Sequence, residues 1–199
     1  MKEMKVKITF TEEILGTANA DKDIHSEFIA SKAPDAPSRE EEVASLGVDE
    51  VERKEMTVFP RLEDGTPFLW DYQIRGFFKS AGSAMAYIGG KSKLPAHKKK
   101  IDLLVFVDER KIPLIIPEGQ TIGNCQRPLR AQTAQGDRVA LANSETCPAG
   151  TTAEFTIRVL QDDLMKNVIE WLDYGKYNGI GQWRNSSKGR FQWVDITDK

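Results

Sequence analysis

Between Gly179 and Arg190 the chain reads Gly-Ile-Gly-Gln-Trp-Arg-Asn-Ser-Ser-Lys-Gly-Arg, a concentration of groups that suits a polyanion. Gly179, Gly181 and Gly189 permit tight, positive-φ turns and let a ligand's backbone approach the chain. Consecutive main-chain N–H groups in such a loop can form an anion-binding nest. Arg184, Lys188 and Arg190 set cationic donors beside it, and Trp183 offers a stacking face for a base. The alternative is a long hairpin whose charges face water, since short glycine patterns recur by chance. Two further cationic pairs extend the candidate site. Arg75 and Lys79 are one helical turn apart and share a face, and Arg127 and Arg130 bracket Pro128.

Other chemistries are poorly represented. There is no Gly-Lys-Ser/Thr phosphate loop after a strand, no His-Glu-x-x-His and no Gly-x-Ser-x-Gly elbow. The pair Gly179 and Gly181 follows a helix pattern, where a dinucleotide site needs a preceding strand. Cys125 and Cys147 have neither metal-site spacing nor the density of a disulfide scaffold. The sequence therefore calls for no cofactor and no metal, and an intracellular, cytoplasmic protein with reduced thiols is the simplest account. No apolar run has membrane-spanning length, and the N-terminus alternates like a strand, unlike a signal peptide.

The net charge of −2 is unevenly placed. Residues 35–55 hold eight acidic and three basic residues, which leaves the remainder near +3. Lys91 to Lys100 carries five lysines and His97. Such asymmetry permits a basic surface on an acidic protein.

The length of 199 residues suits one domain with a substantial core. Lys5 to Ile14 alternates as a first strand, closed by Leu15 and Gly16 in a turn. Residues 20–55 read as an insertion, partly helical from Ser38 to Leu46 and acidic. A short strand spans Met56 to Pro60. Asp71 is placed to cap a helix whose apolar face is Ile74, Phe77, Phe78, Ala81 and Met85. Gly76 inside it costs about 1 kcal/mol relative to alanine, which suggests that a backbone or a ligand packs close. Lys91 to Lys100 is expected as a mobile loop, and Asp102–Val107 with Ile112–Ile116 as a hairpin. Arg138–Ala142 and Thr151–Leu160 read as strands. A second helix from Asp162 to Tyr174 buries Leu164, Val168, Ile169, Trp171 and Leu172, and Phe191–Ile196 closes the chain as a strand. Two helices on one face of an antiparallel sheet give an α+β fold.

Four segments, in order, resemble the repeat-associated RNA-binding (RAMP) superfamily of CRISPR systems, especially its effector backbone subunits. The first is the opening strand ending in Ile14, Leu15 and Gly16. The second is Pro67-Phe-Leu-Trp-Asp-Tyr-Gln-Ile-Arg-Gly-Phe-Phe-Lys79, similar to a proline-led segment entering a Lys-Gly-containing helix. The third, Leu141 to Phe155, is similar to a Glu-x-x-Pro-x-Gly-Thr-x-Phe run, and the fourth is the glycine loop 179–190. Together they cover most of the chain outside 20–55. The pattern departs at Trp70, Asp71 and Tyr72, where the family often has small residues; a bulky pair narrows the groove for guide RNA. The resemblance implies a ferredoxin-like, RRM-related fold.

That resemblance also implies a surface for single-stranded RNA, held by Arg75, Lys79, Arg127, Arg130, Arg184, Lys188 and Arg190, with Trp183 stacking on a base. The loop is expected to lie across the sheet surface. Further partners are protein subunits of a larger assembly or a second copy of the chain, with antiviral defence as the setting. Two alternatives stay open. One is a protein-interaction device, a mimic or inhibitor of a defence complex, for which the acidic 35–55 segment is suited. The other is a metal-dependent or histidine-dependent endoribonuclease, with Asp35 in a place comparable to that of the family's cutting aspartate in the insertion, or His25 or His97 as acid or base. No residue is assigned a catalytic role, and a binding module is the preferred reading.

Overall fold

The computed structural model describes residues 1–19, 56–89, 93–133 and 136–198. The expected acidic insertion at 20–55, its helix from Ser38 to Leu46, and His25 and Asp35 lie outside the described residues. The first strands are β1 (Lys2–Phe10), β2 (Ile14–Leu15), β3 (Ala18–Asn19), β4 (Thr57–Val58) and β5 (Phe68–Trp70). Helices α1 (Asp71–Ile88) and α2 (His97–Leu104) follow, then β6 (Val105–Val107), β7 (Lys111–Pro113), β8 (Gly123–Thr133) and β9 (Gly136–Cys147). The chain ends with β10 (Thr152–Val159), α3 (Met165–Asp173) and β11 (Phe191–Asp195).

Alternation in β1 buries Met4, Val6, Ile8 and Phe10 and turns Lys5, Lys7 and Thr9 to the opposite face. The same period in β10 buries Ala153, Phe155, Ile157 and Val159. The two strands pair antiparallel with Val6 opposite Phe155, β11 adds to the free side of β1, and β6 adds to β10. The resulting order, β11-β1-β10-β6, with helix between β1 and β6 and again between β10 and β11, is ferredoxin-like. The fold is α+β, as expected, with α1 and α3 covering the apolar face. Phe77 meets Phe191 at 5.1 Å and Phe78 meets Trp171 at 5.7 Å, ring centre to ring centre. The first holds α1 to the sheet and the second holds α1 to α3, each by about 0.5–1.5 kcal/mol beyond area burial.

A second sheet, β2-β9-β4-β3, carries β8 along β9 in a long hairpin that pairs Gly123 with Thr146 and Thr133 with Gly136. The strand expected at Arg138–Ala142 is thus one part of β9, which continues through Glu145 to Cys147. Several boundaries differ from expectation. The predicted strand Lys5–Ile14 divides at Phe10, and Ile14 and Leu15 join the second sheet against Cys147 and Thr146. The crossing is held by Thr11 donating to the Arg190 carbonyl at 2.8 Å and by Gly189 donating to the Glu13 carbonyl at 2.9 Å. Gly16 then passes Val58 so closely that a Cβ would lie 2.4 Å from its carbonyl carbon.

The lysine-rich segment is not a loop throughout, because His97 begins α2. The His97 ring lies against Gly82 and shares a 3.0 Å hydrogen bond with Ser83 Oγ, while Ile101 is fully buried. Tertiary anchoring of two residues sets a helix whose Lys98 and Lys99 remain exposed. Nor do Asp102–Val107 and Ile112–Ile116 form a hairpin. Asp102 is helical, β6 pairs with β10, and β7 pairs with β5, Ile112 opposite Leu69. Glu109 explains the divergence: its carboxylate accepts the Thr156 N–H at 2.7 Å and hydroxyl at 2.9 Å, fixing the connection on β10.

Two helix details also change. The α1 cap position is Trp70, whose N–H is taken by the Gln73 side chain at 2.8 Å; Asp71 is the first helical residue and pairs with Arg110. In α3 Ile169 is exposed, and Asn167 takes a buried position on the inward stripe. No helix among the described residues is long and apolar enough to cross a membrane.

Candidate functional site

The neck of the glycine loop is a crossing of two backbones. Ile180 donates to the Gly189 carbonyl at 3.0 Å. A Cβ on Gly179 would lie 2.1 Å from the Gly189 carbonyl carbon, and one on Gly189 would lie 1.9 Å from the Ile180 oxygen. Gly181 and Gly189 both have positive φ, so shape and conformation alike require glycine. The Gly189 N–H is engaged by Glu13 and does not contribute to an anion nest. Beyond the neck, Trp183 and Ser187 adopt left-handed conformations around a 3-10 turn at Arg184–Ser186. Left-handed backbone is uncommon for such residues, and strain of this kind gathers at functional loops.

The loop does not lie across the open face of the four-stranded sheet. It sits instead at the junction of β2, the β8–β9 hairpin and α1. Gly181 rests on Ile14 and Leu15, Lys188 pairs with Glu13, and Gln182 accepts a 2.9 Å hydrogen bond from Arg127 of β8. Asn178 and Arg184 both reach Ser80 Oγ of α1, each at 3.4 Å. The crossing of β1 into β2 decides this seat, because Glu13 supplies both a carbonyl and a carboxylate to the loop.

The candidate cations differ sharply in what they face. Arg127 is only 5% exposed, donates to Ser144 Oγ at 3.1 Å, and lies 5.0 Å from the Trp183 ring centre. Among the described residues its Nε has no hydrogen-bond partner, nor has the buried Nε of Arg190. Arg184 is exposed, and among the described residues no carboxylate pairs with Arg127, Arg184 or Arg190. By contrast Arg75 and Lys79 converge on Asp102, at 3.2 and 2.6 Å, and Lys188 is held by Glu13. Arg130 lies in β8 opposite Val139, its side chain outside what the structure describes. The loop therefore brings Trp183 to Arg127 and Arg184 to Ser80, while Arg75 and Lys79 belong to a separate cluster.

Gly76 does not have the close backbone neighbour that is one of the two expectations for it. Among the described residues nothing lies within 4 Å of where its Cβ would be; Gly82 is the α1 glycine pressed by another element. Helical spacing puts Gly76 on the stripe of Gln73 and Ser80. Gln73 donates to Thr17 Oγ1 at 2.9 Å, so the stripe is tied down on either side of an open gap. Ser80, Gln182, Asp102 and Glu13 were not singled out from the sequence. Only Ser80 carried a signal, its place one turn beyond Gly76.

His97 is held between Gly82 and Ser83 as a helix anchor. Cys147 is buried in β9, where burial and then the Glu145 carboxylate push its thiol up to about 12, so it packs as a small apolar residue. Among the described residues no group of three His, Cys, Asp or Glu side chains is gathered as metal ligands would be.

No family model matches the chain, and no curated protein matches it. Solved structures do. A chain of the Type III-B Cmr-beta assembly bound to cognate target RNA superposes with a TM-score of 0.56 at 11% identity, over 97% of this chain. The present chain spans 59% of that chain's length. A chain of a Type IV-B CRISPR complex aligns over 99% of this chain and 91% of its own, with a TM-score of 0.47 and 13% identity. At 11% identity the Cmr-beta likeness is one of fold.

Proposed function

We propose that this protein is a RAMP-like subunit of a CRISPR-type assembly that holds single-stranded RNA between the glycine loop and α1. The observation that carries this is the reach of Arg184, the neighbour of Trp183 in the loop, to Ser80 of α1, one turn from the open gap at Gly76. Single-stranded nucleic acid needs a cationic track for phosphates and aromatic faces for bases. Arg184 provides an exposed guanidinium for a phosphate. Trp183, 38% exposed, offers one ring face to a base while the Arg127 guanidinium lies near the ring. Gly76 lets a sugar-phosphate backbone approach the helix without a side chain between them. A shared fold with a chain of an RNA-bound Cmr-beta assembly supports the choice of ligand.

The paired cations fit the same role by exchange. Ion pairs to exposed carboxylates contribute only about 0–1 kcal/mol, so a phosphate can displace the exposed Asp102 from Arg75 and Lys79. Contacts of this kind give affinity with little sequence preference.

The test is anisotropy of a labelled oligouridylate between about 50 and 200 mM salt. Arg184→Ala should weaken binding for every sequence and reduce the salt slope by about one. Lys7→Ala, on the opposite face of the sheet, should change neither. Absence of RNA binding by the wild-type chain across that range would overturn the proposal. A second reading, a protein-contact device without RNA, is favoured by the pairing of Arg75, Lys79 and Lys188 with the chain's own carboxylates. It predicts a protein partner retained in the absence of nucleic acid.

A further inference from the structure

Tyr72, Gly76 and Ser80 stand at i, i+4 and i+8 on α1 and form one ridge of the helix. The site described above uses the second and third. The first belongs to an aromatic and cationic cluster that has no part in that site. Trp70 and Tyr72 present nearly parallel rings, 15° apart with centres 6.3 Å apart. Arg110 lies 5.0 Å from the Trp70 ring centre and 5.9 Å from that of Tyr72, and it is fixed by its ion pair with Asp71. Phe68, fully inside, meets Trp70 edge-on at 4.8 Å and so sets the indole plane. The platform is rigid from below and open above: Tyr72 is 54% exposed.

We infer that Trp70, Tyr72 and Arg110 form a second base-stacking position for single-stranded RNA, on the opposite side of Gly76 from Trp183. This rests on the RNA-binding reading and extends it to residues that reading leaves out. Eight residues of helix separate Tyr72 from Ser80 by about 12 Å, a span that a few nucleotides of single strand cover. One short strand can therefore reach both platforms while its backbone crosses the gap at Gly76. A π-face accepts any base, so the position adds affinity without sequence preference. Because the Arg110 charge is already balanced by Asp71, its guanidinium serves here as a planar stacking surface more than as a phosphate contact.

The distinguishing measurement is quenching of 2-aminopurine placed at successive positions in an oligouridylate, together with affinity and salt slope. Tyr72→Ala should weaken binding about five- to 150-fold, as expected for one lost base stack, with the salt slope unchanged, and should relieve quenching at one position. Tyr72→Phe should restore both. Arg184→Ala should lower the slope and leave that quenching in place whenever RNA is saturating. If the wild type binds RNA and Tyr72→Ala binds it equally well, the second platform is overturned while the loop site stands. If the wild type binds no RNA, both readings fall. Loss of a co-purifying protein subunit in Tyr72→Ala, with RNA affinity intact, would likewise overturn the inference and assign the cluster to a protein interface.

Discussion

The open face of the four-stranded sheet and the junction beneath the glycine loop are both polar, but they treat charge in opposite ways. On the sheet face, Lys7 pairs with Glu154 at 3.2 Å, and Arg158 is clamped between Glu3 and Asp108. The outward positions of the central strands, Lys5, Lys7, Thr156 and Arg158 among them, include no aromatic residue, since Phe10 and Phe155 point inward. At the loop junction, Arg127, Arg184 and Arg190 have no carboxylate partner among the described residues, and Trp183 lies over one of them. An RRM-type domain reads RNA through aromatics on the sheet surface. This chain shares the strand order, but its exposed aromatic on that face is Phe106 of the edge strand β6, opposite Arg158, and the central strands carry none, so binding is sought where charge is left unbalanced. Topology alone does not locate a site.

The largest expected effect breaks the junction while sparing the sheet. Gly189→Ala forces a Cβ into the Ile180 carbonyl at a left-handed position, and should destabilise by about 3 kcal/mol or more. Thermal unfolding should show a melting temperature lower by roughly 6–12 °C. A loss under about 1 kcal/mol would mean that the neck yields and that the loop is less fixed than its seat indicates.

A smaller change probes the gap on α1 and separates stability from binding. Gly76→Ala should stabilise the isolated chain by about 1 kcal/mol, because helix propensity improves and nothing is struck. The same substitution should weaken RNA binding if the strand passes there. Stabilisation with unchanged affinity would remove the gap from the proposed path.

The smallest effect belongs to the sheet face. The Arg158 side chain holds the Asp108 carboxyl below its ordinary value of 3.8. A carboxyl lowered by folding stabilises above its unfolded pKa, and that contribution disappears as pH falls through the folded value. Asp108→Asn should therefore flatten acid unfolding below about pH 4, without affecting RNA binding at neutral pH. Residual acid sensitivity is expected from Asp64, Asp162 and Asp195, which are lowered by Thr66, by the N-terminal ammonium and by Thr197 respectively.

Much of the fold was legible because periodicity survives tertiary context. The buried residues Val6, Ile8, Phe10, Ile74, Phe77, Phe78, Val168, Trp171 and Leu172 were all identifiable from spacing at two or 3.6 residues. Connections were harder. The segment 97–104 carries lysines that suggest a loop, yet His97 against Gly82 and Ile101 in the core make it a helix. The turn after Val107 resembles a hairpin locally, but Glu109 bonds to a strand nearly fifty residues away. No local pattern encodes such a partner.

The candidate site divides along the same line. Composition and spacing determined that residues 179–190 form a glycine-dependent loop rich in cations, because backbone crossings exclude a Cβ regardless of where the loop is seated. They also marked Gly76 as a glycine inside α1 that called for a close neighbour, backbone or ligand. Only the tertiary structure decided which cations remain unbalanced, since Asp102 and Glu13 neutralise Arg75, Lys79 and Lys188 from other elements. Electrostatic partnership depends on distance in space, and the sequence orders residues along a chain that the fold brings together elsewhere.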